Sequence, residues 1–316
     1  MSFDHSISRR SVFKGAGGLA VASALGAGAA LGVNTPAHAA GLEVIEHQTY
    51  GRMEYYKVST PSIAWKPRIN VLLPDGYDSG RRYPVLYLLH GGAQNFMKFD
   101  KEDDIRGLTA GRDLIVVMPD GGIAGWYCNP VTANLGPRNW ETFHIEELIP
   151  WVDATFRTFP EQAGRAVSGF SMGGFGALKY TAKYYGHFAS VSSHSGPASL
   201  RSINGAVAHW ANASSTIDLG GGTVYGTPWD QARVSADNPV ERIESYRGKR
   251  IFLVSGTEAF DVNEGFVLPT QREFAAALDR AGIQYERHEE PGGHFVRRER
   301  LQQDIDGVIA HLRKAG

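Results

Sequence analysis

Two runs of this chain, Pro84 to Leu89 and Leu114 to Met118, are apolar throughout and too short to be helices of a core. A strand with one wet face alternates apolar and polar residues, whereas a short unbroken apolar run suits a strand buried on both faces. Helices must then cover both sides of the sheet. The segment 141–156 supplies one, because Phe143, Leu148, Ile149, Val152 and Phe156 fall near a single helical face. Further strands are predicted at His187 to Ser193, Arg250 to Ser255 and Gln284 to His288, with helices over 271–281 and 301–314. Ahead of this pattern, Arg52 to Ser59 and Arg68 to Leu73 read as strands, and Pro74-Asp75-Gly76-Tyr77 closes the second with a turn. They predict an antiparallel edge on an otherwise parallel α/β sheet.

Inside this framework lies Gly169-Phe170-Ser171-Met172-Gly173, a GxSxG pentapeptide. Such a match is common by chance and gains meaning only when a strand enters it and a helix leaves it, because that sharp turn lifts the serine Oγ above the sheet. Arg165-Ala166-Val167-Ser168 fits the strand, and Gly174 to Ala182 fits a helix with small residues on its sheet-facing side. Glycines at 169, 173 and 174 suit the close backbone approach of the turn.

A serine hydroxyl is a weak nucleophile, so Ser171 needs a base, and the base needs a group that fixes its tautomer. In sheets of this kind the order along the chain is serine, acid, histidine. Of the downstream histidines, His294 lies in the loop Pro291-Gly292-Gly293-His294 between a strand and the last helix, where a base belongs, while His288 and His311 fall inside elements. For the acid, Glu258, Asp261 and Glu264 all follow the strand Arg250 to Ser255, and the spacing leaves the three open. The oxyanion of acyl transfer needs backbone donors. The N–H of Met172 is one, and Gly92 in the loop His90-Gly91-Gly92 is expected to supply the other, with Gly91 next in order.

Residues 1–39 read as a twin-arginine export signal. Arg9-Arg10 precedes a Gly- and Ala-rich apolar stretch from Gly15 to Val33, and Ala37-His38-Ala39 offers a cleavage site before Ala40. Residues 40–316 are then expected to form a single catalytic domain, with no integral membrane span after cleavage. The formal net charge of −1 and the lack of basic runs argue against a nucleic-acid partner. A single cysteine, Cys128, excludes an internal disulfide and reads as a small buried residue beside Tyr127. No HExxH or CxxC spacing points to a metal.

Four blocks together resemble the esterase D and antigen 85 mycolyltransferase group of α/β-hydrolases. They are Tyr83 to Gly92, Met118-Pro119-Asp120-Gly121-Gly122, Trp140-Glu141-Thr142-Phe143, and Gly169 to Gly176, within a similarity that spans residues 66–312. The resemblance implies the α/β-hydrolase fold, with a mostly parallel central sheet, helices on both faces and an antiparallel N-terminal edge. It also implies a serine acyl-enzyme mechanism on esters without a cofactor. It moves Glu264 to first choice of acid, since Asn263-Glu264-Gly265-Phe266-Val267 is similar to the stretch that carries the mycolyltransferase glutamate, with Asp261 and then Glu258 behind. Two places depart from the group's pattern. His90 stands where the mycolyltransferases tend to carry Asp and is more like the esterase branch, and Phe295-Val296-Arg297-Arg298 follows His294 where many relatives carry an aromatic that leads to a Trp.

The resulting expectation is an exported serine esterase or acyltransferase with the catalytic set Ser171, His294 and Glu264, acting on a small-molecule, glycolipid or carbohydrate ester. Transfer of a mycolyl or other acyl group to a sugar or glycerol hydroxyl is the first alternative. A non-catalytic wall- or matrix-binding protein on the same scaffold is the second. Trp126, Tyr127 and Trp140 are expected to line an acyl or sugar site. The aperiodic insert 201–240, with Trp210, Tyr225 and Trp229, is read as its wall.

Overall fold

A computed structural model describes residues 41–258 and 260–316. The expected export signal lies outside the described residues. Along the chain come β1 (Glu43–Tyr50), β2 (Met53–Ser59), β3 (Arg68–Leu72), β4 (Val85–Leu89), α1 (Lys98–Lys101), α2 (Ile105–Leu108) and β5 (Ile115–Pro119). Next is a helical run made of α3 (Trp140–Thr142), a π-helical stretch (Phe143–Leu148) and α4 (Ile149–Thr155). Then follow β6 (Arg165–Phe170), α5 (Met172–Lys183), β7 (Ser190–His194), α6 (Ser202–Ser215) and α7 (Gln231–Asp237). The last elements are β8 (Arg250–Gly256), α8 (Val262–Ala281), β9 (Glu286–Glu290) and α9 (Arg298–His311).

The sheet has nine strands in the order β1-β2-β3-β5-β4-β6-β7-β8-β9. β1, β2 and β3 form the antiparallel edge, β3 joins β5 antiparallel, and every pairing from β5 to β9 is parallel. The mostly parallel α/β sheet and its antiparallel edge are as the sequence predicts. β4 shows why its run is apolar throughout. Val85, Tyr87 and Leu89 enter one core with Trp151 of α4, Phe175 of α5 and Phe274 of α8. Leu86 and Leu88 enter the opposite core with Phe99, Ile105 and the α9 residues Leu301, Ile305 and Val308. Both faces of the sheet are covered by helices.

After β4 the chain goes first to β5 on one side and then to β6 on the other, so the strand order reverses at β4. The loops leaving β4 and β6 therefore diverge at their carboxyl ends and open a crevice, the usual place for a ligand in a sheet of this type. His90-Gly91-Gly92 and Ser171 both lie there.

Three differences from the sequence reading have physical causes. β1 carries no apolar alternation and seven of its eight residues are exposed, so its sequence gave no period to detect. α8 begins at Val262, nine residues ahead of the predicted start, because Asp261 caps it and Pro269 interrupts its pattern. The insert 201–240 carries two helices, α6 and α7, joined by an irregular stretch. Among the described residues no helix is long and apolar enough to cross a membrane.

Candidate active site

Ser171 is the turn between β6 and α5, with φ 55° and ψ −119°, a conformation costly for a residue with a Cβ. The turn is held by backbone contacts. Its N–H donates to the His194 carbonyl at 2.8 Å, and its own carbonyl accepts from Phe175 N at 3.1 Å. The glycines are required by space. A Cβ on Gly173 would lie 2.1 Å from the Leu89 carbonyl oxygen, and one on Gly169 would lie 2.3 Å from the Gly173 carbonyl. No rotamer relieves either overlap, since both neighbours are backbone. The small residues of the pentapeptide thus let α5 sit directly on the end of β4.

His294 reaches Ser171 from the loop between β9 and α9. Its Nε2 lies 2.7 Å from Ser171 Oγ, and its Nδ1 lies 3.1 Å from Glu264 Oε1 in the first turn of α8. A carboxylate accepts, so Nδ1 carries the proton and donates to Glu264, leaving Nε2 bare to accept the Ser171 hydroxyl proton. Phe170 packs against the imidazole with ring centroids 4.8 Å apart. Glu264 is 1% exposed, and its second oxygen is buried with no hydrogen-bond partner among the described residues. Asp261 takes a different place: it accepts the His294 backbone N–H at 3.0 Å. Glu258 is exposed.

The N–H groups of Met172 and Gly92 border the same cleft as Ser171 and have no acceptor among the described residues. Gly91 N is occupied, donating to Gln94 Oε1 at 2.9 Å. The loop carrying Gly92 is stapled by His90, which is 1% exposed. Its Nε2 accepts from Gly121 N at 2.9 Å, so its Nδ1 bears the proton and donates to the Gly91 carbonyl at 2.8 Å. Tyr127 OH donates to the His90 carbonyl at 2.8 Å. Burial lowers the His90 pKa and keeps the ring neutral, as this bonding pattern requires.

The cleft has a volume of about 400 Å³ and is walled by Ile123, Trp126, Trp210, Ser214 and Ile217. An apolar groove between α6 and α8, lined by Ala206, Ala213, Val262 and Phe266 among others, shares Trp210 and Asn263 with it. Trp126 sits edge-on to Trp210 at 5.1 Å and donates its indole N–H to Ser214 Oγ at 2.8 Å. Trp126 thus faces the cleft, but Tyr127 and Trp140, expected beside it, do not line it. Tyr127 is wedged between Gly121 and Gly176, where a Cβ on either would strike its ring. Trp140 packs against Trp65 and stacks on His144. They are 0% and 1% exposed and support the cleft from behind. Adjacent positions in a bent loop point to opposite sides, and sequence alone does not say which side is wet.

Sequence reasoning missed the buried polar groups that fasten these loops. Lys179 of α5, fully buried, donates to the Tyr127 carbonyl at 2.7 Å and to Glu141 Oε2 at 2.6 Å. Burial alone would raise the Glu141 pKa, yet Lys179 and Lys183 outweigh it and draw the value down to about 2. Cys128 lies in the same cluster, and burial pushes its thiol up to about 12, so it stays protonated. Asp218 receives Arg138 Nη1 at 3.0 Å and the Trp140 indole N–H at 3.4 Å, both ties buried. His144, in the π-helical stretch, donates from Nε2 to the Asp120 carbonyl at 2.8 Å and accepts the Tyr180 hydroxyl at Nδ1 at 2.9 Å. Burial lowers its pKa to about 3. The available signal was a charged residue inside an apolar stretch, such as Lys179 after Leu178.

The family described as "Putative esterase" matches residues 60–306. Esterase Rv1288 and Esterase MT1326, from two strains of Mycobacterium tuberculosis, are each 62% identical over 287 residues. The match covers 87% of this chain and only 63% of either relative, so the chain spans less than two thirds of their length. Among solved structures, an S-formylglutathione hydrolase from Agrobacterium tumefaciens is similar with a TM-score of 0.69 at 18% identity, covering 85% of this chain and 99% of the other. Mycobacterium tuberculosis MPT51 (FbpC1) is similar with a TM-score of 0.68 at 19% identity, with coverage of 85% and 99%. At such identities these two likenesses speak for the fold alone. With its family match over most of its length, its sheet and its strand–serine–helix turn, the chain belongs to this esterase family, on an α/β-hydrolase fold.

Proposed function

We propose that this chain is an exported serine carboxylic-ester hydrolase or acyltransferase working through an acyl-enzyme on Ser171. The observation that carries the reading is the relay from Ser171 Oγ to His294 Nε2 at 2.7 Å and from His294 Nδ1 to Glu264 at 3.1 Å. In the first step Ser171 Oγ bonds to the ester carbonyl carbon while its proton passes to His294 Nε2. The carbonyl oxygen takes the negative charge and receives the N–H groups of Met172 and Gly92. Glu264, close to Nδ1–H, stabilises the imidazolium. Collapse of the tetrahedral intermediate breaks the ester C–O bond, and the departing alkoxide takes the proton from Nε2. Water or an acceptor hydroxyl then gives its proton to His294 and attacks the acyl carbon, and Ser171 is released with its proton restored.

The walls support an ester with an apolar acyl or aryl group. Ile123, Trp126, Trp210 and Ile217 surround Ser171, and an apolar groove continues past Trp210. Among the described residues no Asp, Glu, Lys or Arg that would select an ionic substrate lines the cleft. Hydrolysis and transfer differ only in the hydroxyl that resolves the acyl-enzyme, and a glycolipid or carbohydrate ester fits either outcome. Export rests on Arg9-Arg10, the Gly- and Ala-rich stretch and Ala37-His38-Ala39. The mature chain is expected to begin at Ala40.

The test is fluorophosphonate labelling together with turnover of nitrophenyl esters from acetyl to long-chain, with and without trehalose or glycerol. Labelling at Ser171 and turnover of apolar esters are expected. An acyl-sugar or acyl-glycerol product assigns transfer, and its absence with free acid released assigns hydrolysis. Intact label-free protein with no turnover of any ester overturns the reading.

A further inference from the structure

Asp261 was a candidate for the triad acid, and the structure gives its carboxylate another set of bonds. Oδ1 accepts the backbone N–H groups of Asn263 at 2.9 Å and Glu264 at 3.1 Å, capping the N-terminus of α8. Oδ2 accepts the backbone N–H of His294 at 3.0 Å. One carboxylate therefore bonds to the main chain of both residues that must meet, the acid and the base, which lie 30 positions apart in sequence.

Glu264 belongs to the helix α8, whereas His294 stands in a loop. His294 follows Gly292 and Gly293, and Gly292 has φ 97°. The loop is also tied by the Gly292 carbonyl, which accepts from Glu258 N at 3.1 Å, and by Arg297, which donates to the Pro291, Gly293 and Phe295 carbonyls, each at 3.2 Å. These ties flank His294, whereas the bond to Asp261 acts on His294 itself. The fit is close, since a Cβ on Gly293 would lie 2.6 Å from Asp261 Oδ2. Glycine at 293 lets the carboxylate reach the next N–H.

We propose that Asp261 is a positioning residue that straps the His294 backbone to the first turn of α8 and so sets the His294–Glu264 distance. The proposal rests on the triad reading above. The carboxylate is suited to both bonds because its two oxygens point to different segments and each accepts without a proton of its own. An asparagine separates the functions. Its Oδ1 still caps α8, while its NH₂ group turns a donor toward the His294 N–H, so the cap survives and the strap does not.

The experiment compares Asp261→Asn, Asp261→Ala and the parent chain by thermal unfolding, by kcat and KM on a nitrophenyl ester, and by the low-field proton resonance of His294 Nδ1–H. Asp261→Asn is expected to keep the parent Tm and KM, lose about 10- to 100-fold in kcat, and lose or broaden the resonance. Asp261→Ala is expected to lose kcat similarly and Tm as well. Parent kcat and an intact resonance in Asp261→Asn overturn the strap. So does a loss of kcat that only parallels a loss of Tm, because a plain helix cap gives that result. Ser171→Ala serves as the separate control. If it retains turnover, the triad reading falls and the strap's function with it; if it is inactive while Asp261→Asn is fully active, only the strap falls.

Discussion

The two halves of the candidate site are built by different means. Ser171 is held by close-packed backbone: Gly169 and Gly173 leave no room for a Cβ, and the serine is bonded on both sides through its own N–H and carbonyl. His294 and Glu264 stand on loop and helix ends, and polar side chains bring them together, with Asp261 and Arg297 fastening the histidine loop. Packing has little tolerance for volume, so a side chain added at the glycines beside Ser171 is expected to cost the fold. A hydrogen-bonded loop shifts at small cost, so on the proposed triad a substitution there is expected to cost rate. Under that proposal, stability and catalysis are separable on the histidine side of this cleft and coupled at the glycines of the serine turn.

The largest expected effect tests whether the halves act as one unit. Ser171→Ala and His294→Ala should each lower kcat by roughly 10⁵- to 10⁶-fold, and the double variant should lose little more. Multiplying losses in a steady-state assay would mean that they act separately. Glu264→Gln should cost roughly 10³- to 10⁴-fold, since a neutral amide no longer stabilises the imidazolium, while Glu258→Ala should leave turnover within about twofold. Equal losses in both variants would remove Glu264 from its role.

On the packed side, Gly173→Ala should destabilise the chain by on the order of 3 kcal/mol in denaturant unfolding, because its Cβ meets the Leu89 carbonyl at 2.1 Å. A near-native midpoint would show that α5 can move off β4 and would blunt the contrast.

The smallest expected effect is a pH dependence. The folded-state pKa of His144 is depressed to about 3 by burial, from an ordinary value of 6.5. Below about pH 6.5 the unfolded chain binds the proton and the folded chain does not, so this contribution is complete above 6.5 and is lost as pH falls toward 3. Buried His90 acts in the same direction. Unfolding midpoints of His144→Gln should therefore fall less steeply than the parent's between pH 6.5 and 5, above the range where ordinary carboxylates titrate. Parallel curves would contradict a neutral His144.

Legibility in the sequence follows the same division. The parallel strands and the elbow were readable because they rest on local patterns: unbroken apolar runs, a pentapeptide, and glycines next to a serine. The histidine that meets Ser171 was readable from its loop. Spacing left three acids open, because Glu258, Asp261 and Glu264 all follow β8 and only the helical turn begun by Asp261 turns Glu264 inward. Tyr127 and Trp140 were expected to line the cleft but point away from it, since Gly121, Gly122 and Gly125 leave holes that these rings fill, a fact of three dimensions. The polar ties around Lys179 and Asp218 join segments dozens of residues apart, and no periodicity announces them.

The most direct test of the central claim is to quench the chain during the first turnover of nitrophenyl acetate, digest it with trypsin, and fragment the peptide 166–179, which holds Ser168 and Ser171. The account predicts one acetyl group, on Ser171, absent in Ser171→Ala and slow to form in Glu264→Gln. An acetyl group on any other residue, formed at the rate of turnover, would contradict it.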